Sequence, residues 1–223
     1  MNRHHRVRGF ARVRTPLLAG ALVASLVPTE ASAQATGGEA ASSRVTPVRS
    51  QAPREIRVGA VVRVKGALRL APRRRTVLLE LRTRGTWQVV DREPTAGGGR
   101  FETAWRPRIA GSYRLRVRPI DARAARATGR VVNVYRSSSA SWFGPGLYGG
   151  RTACGRTLAP GLVGVAHKSL RCGTRVRFRY GGRSVVAPVI DRGPYAGGRE
   201  WDLTAAAKRA LGFPSTGAVL ATR

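Results

Sequence analysis

Acidic residues are scarce in this sequence. Its 223 residues include 41 lysines and arginines against 11 aspartates and glutamates, which gives a formal net charge of +30. From Ala140 to the C-terminus only Asp191, Glu200 and Asp202 carry carboxylates, and they lie within twelve positions of one another. Such a group either anchors neighbouring arginines or supplies the acid that a chemical step needs. Composition leaves both interpretations open.

Long apolar runs are also lacking. The longest, from Pro16 to Val27, follows an arginine-rich start and leads to the small residues "ASA" at positions 31–33. This arrangement predicts a secretory signal peptide over residues 1–33, because the run is too short and wrongly flanked for a membrane span. No cysteine lies near the predicted cleavage site to carry a lipid. We therefore expect a secreted or cell-envelope protein without a transmembrane segment.

Lysine contributes little to the positive charge, which comes from three lysines and 38 arginines. A strongly basic chain is often a nucleic-acid binder. A GC-rich genome produces the same arginine bias, however, and an exported protein does not meet the chromosome. We predict no nucleic-acid partner; an anionic surface such as a cell wall, with its anionic polymers, fits the sign of the charge.

Cysteine and histidine are rare. An exported chain with two cysteines, Cys154 and Cys172, favours one disulfide between them. Only His167 follows the predicted signal peptide, so a zinc site would lack its usual ligands. We predict neither a metal nor a cofactor.

The N-terminal half is predicted to be all β. Residues 34–54 are rich in small and polar residues without periodicity, which is typical of a disordered leader. Residues 55–136 alternate with period two, as in "GSYRLRVRP", where Leu115 and Val117 point away from the arginines between them. This pattern predicts an Ig-like antiparallel β-sandwich. Its arginine rows are interpreted as a solvated face, with a grip on anionic polymer as the alternative.

The polar run "RSSSA", residues 136–140, is interpreted as a hinge before a second domain over residues 140–223. Strands are predicted near 141–143, 163–167, 175–180, 183–190 and 218–222, which suggests a small closed six-stranded barrel. One helix is predicted in "DLTAAAKRALGF", with Thr204 as its N-cap and Gly212 just after its end.

Four blocks in this region occur in order: "ASWFGPGLYGGRTACGRTL", "VAHKSLRCGTRVRF", "VVAPVIDRGP" and "REWDLT". Together they resemble the double-psi β-barrel domain of the rare lipoprotein A (RlpA) family, over about residues 140–223. The resemblance implies an exported protein that acts on peptidoglycan, with several relatives being lytic transglycosylases. The barrel is also similar to that of expansins, so a polysaccharide-binding or wall-loosening module without catalysis is the alternative function.

The resemblance also implies roles for single residues. Asp191, in the block "DRGP", would be the general acid/base at the rim of a groove; a turn cap or an ion pair with Arg192 is the alternative. Asp202 precedes the predicted helix, which favours an ionised, charge-stabilising carboxylate or a simple helix-start residue. His167 would hydrogen-bond substrate or orient an aspartate, with a purely structural role as the alternative. Glu200 has no counterpart in the family, and an ion pair with an arginine is expected.

Several aromatic residues lie in or beside the four blocks, where flat rings can stack on sugars; packing in the core is the alternative. The predicted substrate-binding residues are Trp142, Tyr148, Tyr195, Trp201 and Arg192, with Trp201 the leading stacking candidate because it adjoins Asp202. The sequence departs from the family at Arg156, where relatives carry a glutamate. If catalysis requires that second acid, the domain binds glycan without cutting it.

Overall fold

A computed structural model describes residues 48–69, 73–121, 129–195 and 197–223. The predicted signal peptide and residues 34–47 of the predicted leader lie outside the described residues. The fold is mainly β with one short helix. The first eight strands are β1 (Val48–Gln51), β2 (Glu55–Arg57), β3 (Val62–Leu68), β4 (Thr76–Thr83), β5 (Thr86–Pro94), β6 (Arg100–Trp105), β7 (Gly111–Pro119) and β8 (Arg130–Phe143).

These strands form two sheets around an apolar core. One sheet has the order β1-β3-β6, and in the other β5, β4, β7 and β8 are neighbours, with β2 beside β8. The core between them is built from alternate residues, such as Val62 and Val64 of β3 and Leu115 and Val117 of β7. The period-two pattern therefore sets the buried face of each strand. Residues 48–51 lie in the range predicted to be disordered, but they pair with β3 and form the strand β1. The disorder prediction was wrong for these residues.

β8 passes without interruption through residues 136–140, where the sequence predicted a hinge. The polar composition of this segment is misleading, since its backbone pairs with a C-terminal strand. Ser138 faces inward and its hydroxyl accepts a hydrogen bond from the guanidinium of Arg136 at 2.7 Å. The hinge prediction was wrong because side-chain polarity does not report on backbone pairing with a distant strand.

The remaining elements are β9 (Val165–Ala166), β10 (Arg175–Tyr180), β11 (Arg183–Asp191), β12 (Trp201–Thr204), α1 (Ala205–Leu211) and β13 (Gly217–Ala221). With the second half of β8 they make a β-barrel domain. Its neighbouring strands, in order, are β8, β13, β10, β11, β9 and β12, and β12 also pairs with β8. The core includes Phe178, Trp201 and Leu203. The sequence did not predict β12.

The helix begins and ends as predicted. The Thr204 hydroxyl accepts a hydrogen bond from the Ala207 N–H, and Gly212 closes the helix with a left-handed φ of 67°. Side-chain capping at the start and glycine at the end satisfy backbone groups that the helix leaves open. The buried face is mostly alanine, so the helix packs close to β11 and β12. No helix in the described part of the chain is long and apolar enough to cross a membrane.

Glu80 of β4 is a buried carboxylate held by two arginines of β7. The Nε of Arg116 donates to its Oε2 at 2.5 Å and that of Arg118 to its Oε1 at 3.0 Å. Arg116 also lies over the ring of Trp87, 4.1 Å from its centroid. The arginine row of β7, interpreted from the sequence as a solvated face, thus neutralises an acid on the outer side of the sheet.

We expect Glu80→Ala to lower the free energy of unfolding by about 3 kcal/mol, because it leaves two partly buried guanidinium groups without their carboxylate. Urea denaturation followed by circular dichroism measures this loss. Glu93→Ala on the neighbouring strand β5 is the matched control and should change stability by less than about 0.5 kcal/mol. Equal losses in both variants would contradict the role given to Glu80.

Candidate functional site

The two aspartates singled out from the sequence lie in one row across the barrel sheet. Ala166 of β9 is paired with Asp191 of β11 on one side, after a register shift that follows Val189, and with Asp202 of β12 on the other. Asp202 is also paired with Ser141 of β8. Residues paired across neighbouring strands face the same side of a sheet. At one strand spacing per step, the Cα atoms of the two aspartates are about 10 Å apart.

Asp191 is half-buried, and its Oδ1 is fixed by backbone donors. The N–H groups of Ala153 and of Arg192 each donate to Oδ1 at 2.8 Å. Among the described residues, no group donates to Oδ2, and no arginine side chain pairs with the carboxylate. The ion pair with Arg192, the alternative to a catalytic role, does not form, because that guanidinium contacts the backbone oxygens of His167 and Asp191 and the sulfur of Cys172. The carboxylate is oriented with one oxygen available.

Asp202 has a different environment. Its Oδ1 accepts a hydrogen bond from the Ser141 hydroxyl at 2.8 Å. Burial raises the pKa of Asp202 above its ordinary value, and the nearby charge of Asp191 raises it further, against the opposing effects of Ser141 and Arg199. The sequence predicted an ionised carboxylate at a helix start. That prediction was wrong in direction, because Thr204 is the N-cap and Asp202 belongs to a strand that is partly withdrawn from water.

His167 follows β9. Within the part of the chain that the structure describes, its ring hydrogen-bonds to neither aspartate. Its Nδ1 accepts hydrogen bonds from the N–H groups of Ser169 and Leu170 at 3.1 and 3.0 Å, so the neutral ring carries its proton on Nε2. Nε2 lies 3.9 Å from Oε1 of Glu200. Burial lowers the pKa of His167, and the Glu200 charge partly offsets this. Only the backbone N–H of His167 reaches Asp191, where it donates to the main-chain oxygen at 3.2 Å.

Glu200 forms an ion pair with an arginine, as predicted, and the partner is Arg136 of β8. Both oxygens of its carboxylate accept hydrogen bonds from the guanidinium. Because Oε1 also faces His167, the ion pair holds a fixed negative charge beside the imidazole. Glu200 and Arg136 therefore contribute opposite charges to the surroundings of His167.

Trp201 is not available for stacking on a sugar. Its side chain is completely buried, with its ring centroid 5.1 Å from that of Phe178 and 4.6 Å from that of His167. Side chains alternate along a strand, so Trp201 points into the core while Asp202 points out. The prediction that Trp201 binds substrate was wrong for this reason.

The other predicted substrate contacts are placed differently. Trp142 is half-buried against the core, and the Lys208 ammonium lies over its ring, 3.9 Å from the centroid. Tyr148 and Tyr195 are exposed, by 38% and 78%. An exposed ring can stack on a pyranose face without displacing a neighbouring protein group, which keeps these two tyrosines as candidates.

A disulfide joins Cys154 to Cys172, as predicted, with 5.7 Å between the Cα atoms. It fixes the loop that carries Ala153, whose N–H holds Asp191. The same loop carries Arg156, an exposed residue whose main-chain groups bond to Thr152. Arg156, where the sequence was interpreted as departing from the family it resembles, is therefore on the loop that supports the Asp191 carboxylate.

The sequence did not single out Ser141 or the Ala153 N–H. Ser141 stands inside the block "ASWFG", and its pairing with Asp202 in the sheet makes it the hydroxyl donor to that carboxylate. A strand assignment for "WDLT" would have indicated a partner on β8. No sequence signal reports a backbone donor such as that of Ala153.

The C-terminal region is similar to known proteins. Residues 135–221 match the family model described as "Lytic transglycolase". The chain is 48% identical over 80 residues to a Synechocystis protein named "Probable endolytic peptidoglycan transglycosylase RlpA", covering 35% of this chain and 25% of that protein. A protein of the same name from Aquifex aeolicus is 38% identical over 87 residues, which is 38% of each chain.

A Neisseria meningitidis protein named "Endolytic peptidoglycan transglycosylase RlpA" is 34% identical over 90 residues, covering 40% of this chain and 38% of that protein. The chain thus spans between a quarter and two fifths of the length of these three relatives. The segment matched by the family model contains Asp191, Asp202 and the strands that carry them, because it extends from residue 135 in β8 to residue 221 in β13.

Proposed function

We propose that this protein is a peptidoglycan lytic transglycosylase, and that its active site lies on the RlpA-type double-psi β-barrel domain formed by its C-terminal region. The observation that carries the proposal is the pair of aspartates in one row of the sheet. Asp191 is held by two backbone donors, whereas burial raises the pKa of Asp202. Two carboxyl groups in unlike environments are suited to acid and base roles at the same pH.

The reaction needs one proton donor and one proton acceptor. Protonated Asp202 gives its proton to the glycosidic oxygen as the bond from that oxygen to C1 of the muramyl residue breaks. Ionised Asp191 takes the proton of the C6 hydroxyl, whose oxygen bonds to C1 and closes the anhydro ring. No water is consumed, and the two carboxyl groups exchange one proton through solvent before the next turnover. In a single-acid scheme, Asp191 would perform both transfers in turn.

We propose that Tyr148, Tyr195 and Arg192 contact the glycan beside this row. The exposure of both tyrosines supports sugar stacking. Arg192 adjoins Asp191, and its guanidinium is already held by main-chain oxygens and Cys172, so it presents a fixed cation next to the reacting group. A fixed cation there can pair with a substrate carboxylate without losing much side-chain entropy.

The finer architecture is also proposed. The strand orders β1-β3-β6 and β5-β4-β7-β8 match the two sheets of an Ig-like sandwich, which supports that assignment for the N-terminal module. The pairing of β12 with both β9 and β8 supports a closed six-stranded barrel.

A substrate in the cell wall requires a location outside the cytoplasm, and the arginine-rich start followed by a short apolar run supports export by a signal peptide.

Digestion of purified peptidoglycan tests the proposed activity. We expect the protein to release muropeptides with anhydromuramyl ends, lighter by one water than the products of hydrolysis, as read by mass spectrometry. A known lytic transglycosylase on the same substrate serves as the positive control. Binding to sacculi without any anhydromuramyl product, across a range of pH, would contradict the proposal and favour a wall-binding module.

A further inference from the structure

A large cleft with a strongly basic lining lies away from the aspartate row. Its volume is about 1160 Å³, and it is bordered by β1, β3, β6 and β8 and by β10 of the barrel domain. No acidic residue lines it among the described residues. Its cationic lining residues are Arg49, Arg54, Lys65, Arg100, Arg130 and Arg177.

The cleft arginines differ from those elsewhere in how they are paired. Several carboxylates outside the cleft are engaged by basic residues, namely Glu55, Glu80, Glu102, Asp121 and Glu200. Among the described residues, none of the five cleft arginines has a carboxylate within ion-pair distance, and Lys65 alone pairs, with Glu102 at 3.3 Å. Clustered cations in a recess raise the local positive potential and concentrate anions there.

The volume of the cleft and the distribution of its arginines over several strands favour an extended ligand. Small-molecule sites commonly measure about 300 to 1,000 Å³, so this cleft exceeds what one phosphate or one sugar fills. The arginines come from separate elements: Arg49 from β1, Arg100 from β6, Arg130 from β8 and Arg177 from β10. Charges spread in this way match an anion that repeats along a chain.

The uncharged lining suggests which polyanion fits. Ser50, Gln51 and Asn133 supply hydroxyl and amide groups that can bond to sugar or glycerol hydroxyls. Single-stranded nucleic acids are usually bound by rings that stack on bases, and no aromatic residue is among the described residues lining the cleft. A guanidinium pairs equally well with a phosphate or a carboxylate through two parallel hydrogen bonds.

We propose that this cleft binds a linear anionic glycopolymer with repeating phosphodiester or carboxylate groups. Because β10 forms part of its wall, the bound polymer lies against the same domain that carries the two aspartates. The site is independent of the proposed cleavage reaction, since it shares none of the residues assigned to that reaction. It would hold the protein at an anionic wall surface.

Binding measurements on the purified protein test the proposal, with poly(glycerol phosphate) as the phosphodiester probe and polygalacturonate as the carboxylate probe. We expect Arg49→Gln/Arg130→Gln to weaken binding of at least one polymer by tenfold or more. The slope of log affinity against log salt should fall by about two, one for each charge lost. The control Arg92→Gln/Arg108→Gln removes two exposed arginines outside the cleft and should keep the wild-type slope to within about half a unit.

A second variant, Arg54→Gln/Arg100→Gln, repeats the test on other elements in case the first alters folding, which thermal unfolding reports. The probe that responds identifies the anion. The proposal is overturned if neither polymer binds the wild type, or if the cleft and control variants lose affinity equally. Tighter binding of a single-stranded DNA oligonucleotide than of both polymers would also overturn it and assign the cleft to nucleic acid.

Discussion

Asp191→Asn is expected to reduce the release of anhydromuramyl products by a factor of about 10² to 10⁴. Asparagine cannot take up the proton of the C6 hydroxyl, and it cannot perform both transfers in the single-acid scheme either. Its amide oxygen can still accept the N–H groups of Ala153 and Arg192, which now hold Oδ1. The loss should therefore appear in kcat, with little change in the thermal midpoint or in binding to sacculi.

The matched control for this variant is Asp121→Asn, which removes an exposed carboxylate paired with Arg75. It should retain activity within about twofold, because its carboxylate follows β7 and lies on none of the strands that carry the aspartate row. Full activity in Asp191→Asn would remove Asp191 from the mechanism. A matching loss of activity and of folded protein would instead assign it to stability, as a turn residue.

The helix was predicted correctly because the residues that begin and end it are close together in the sequence. Thr204 caps the first turn and Gly212 adopts the left-handed conformation just after the last, and both are read within a few residues of sequence. The same holds for the turn between β10 and β11, where Gly181 and Gly182 have φ values of 51° and 82°. Glycine tolerates such angles, which other residues avoid.

Pairing between distant strands could not be predicted in this way. β12 has only four residues, and its partners β8 and β9 are far away in the sequence. Once β12 is known to be a strand, the alternation of its side chains fixes the directions of two adjacent residues. Asp202 points outward, so Trp201 must point into the core. An outward Asp202 and a sugar-stacking Trp201 were therefore incompatible predictions for adjacent residues of a strand.

The direction of the pKa shift of Asp202 was mispredicted for a related reason. Proximity to a helix start favours ionisation, but that effect falls off within the first turn. In the fold, Asp202 lies in a strand before the N-cap, where loss of water is the larger influence and raises its pKa. Burial depends on the packing of β8, β9 and β12, which the sequence near Asp202 does not contain.

Asp202→Asn is expected to make the protein more stable at neutral pH while lowering activity by about a hundredfold. Because the folded state raises the pKa of Asp202 above the ordinary 3.8, folding favours the protonated form. Wild-type stability contributed by this group is complete below that ordinary value and is lost as pH rises through the folded pKa. The variant never ionises and can still accept the Ser141 hydrogen bond, so its advantage should be near zero at pH 3 and largest at neutral pH.

The pH dependence of activity separates the two schemes for Asp202. If it is the proton donor, wild-type kcat declines as pH rises through its raised pKa, and this limb disappears in Asp202→Asn. Urea denaturation at pH 3 and pH 7, run beside the pH profile of product release, measures both effects on one pair of proteins. Greater stability with lower activity is the signature of a carboxyl group that serves function at a cost to folding. A less stable but fully active variant would show that Asp202 only supports the strand before α1, and Asp191 would then have to transfer both protons.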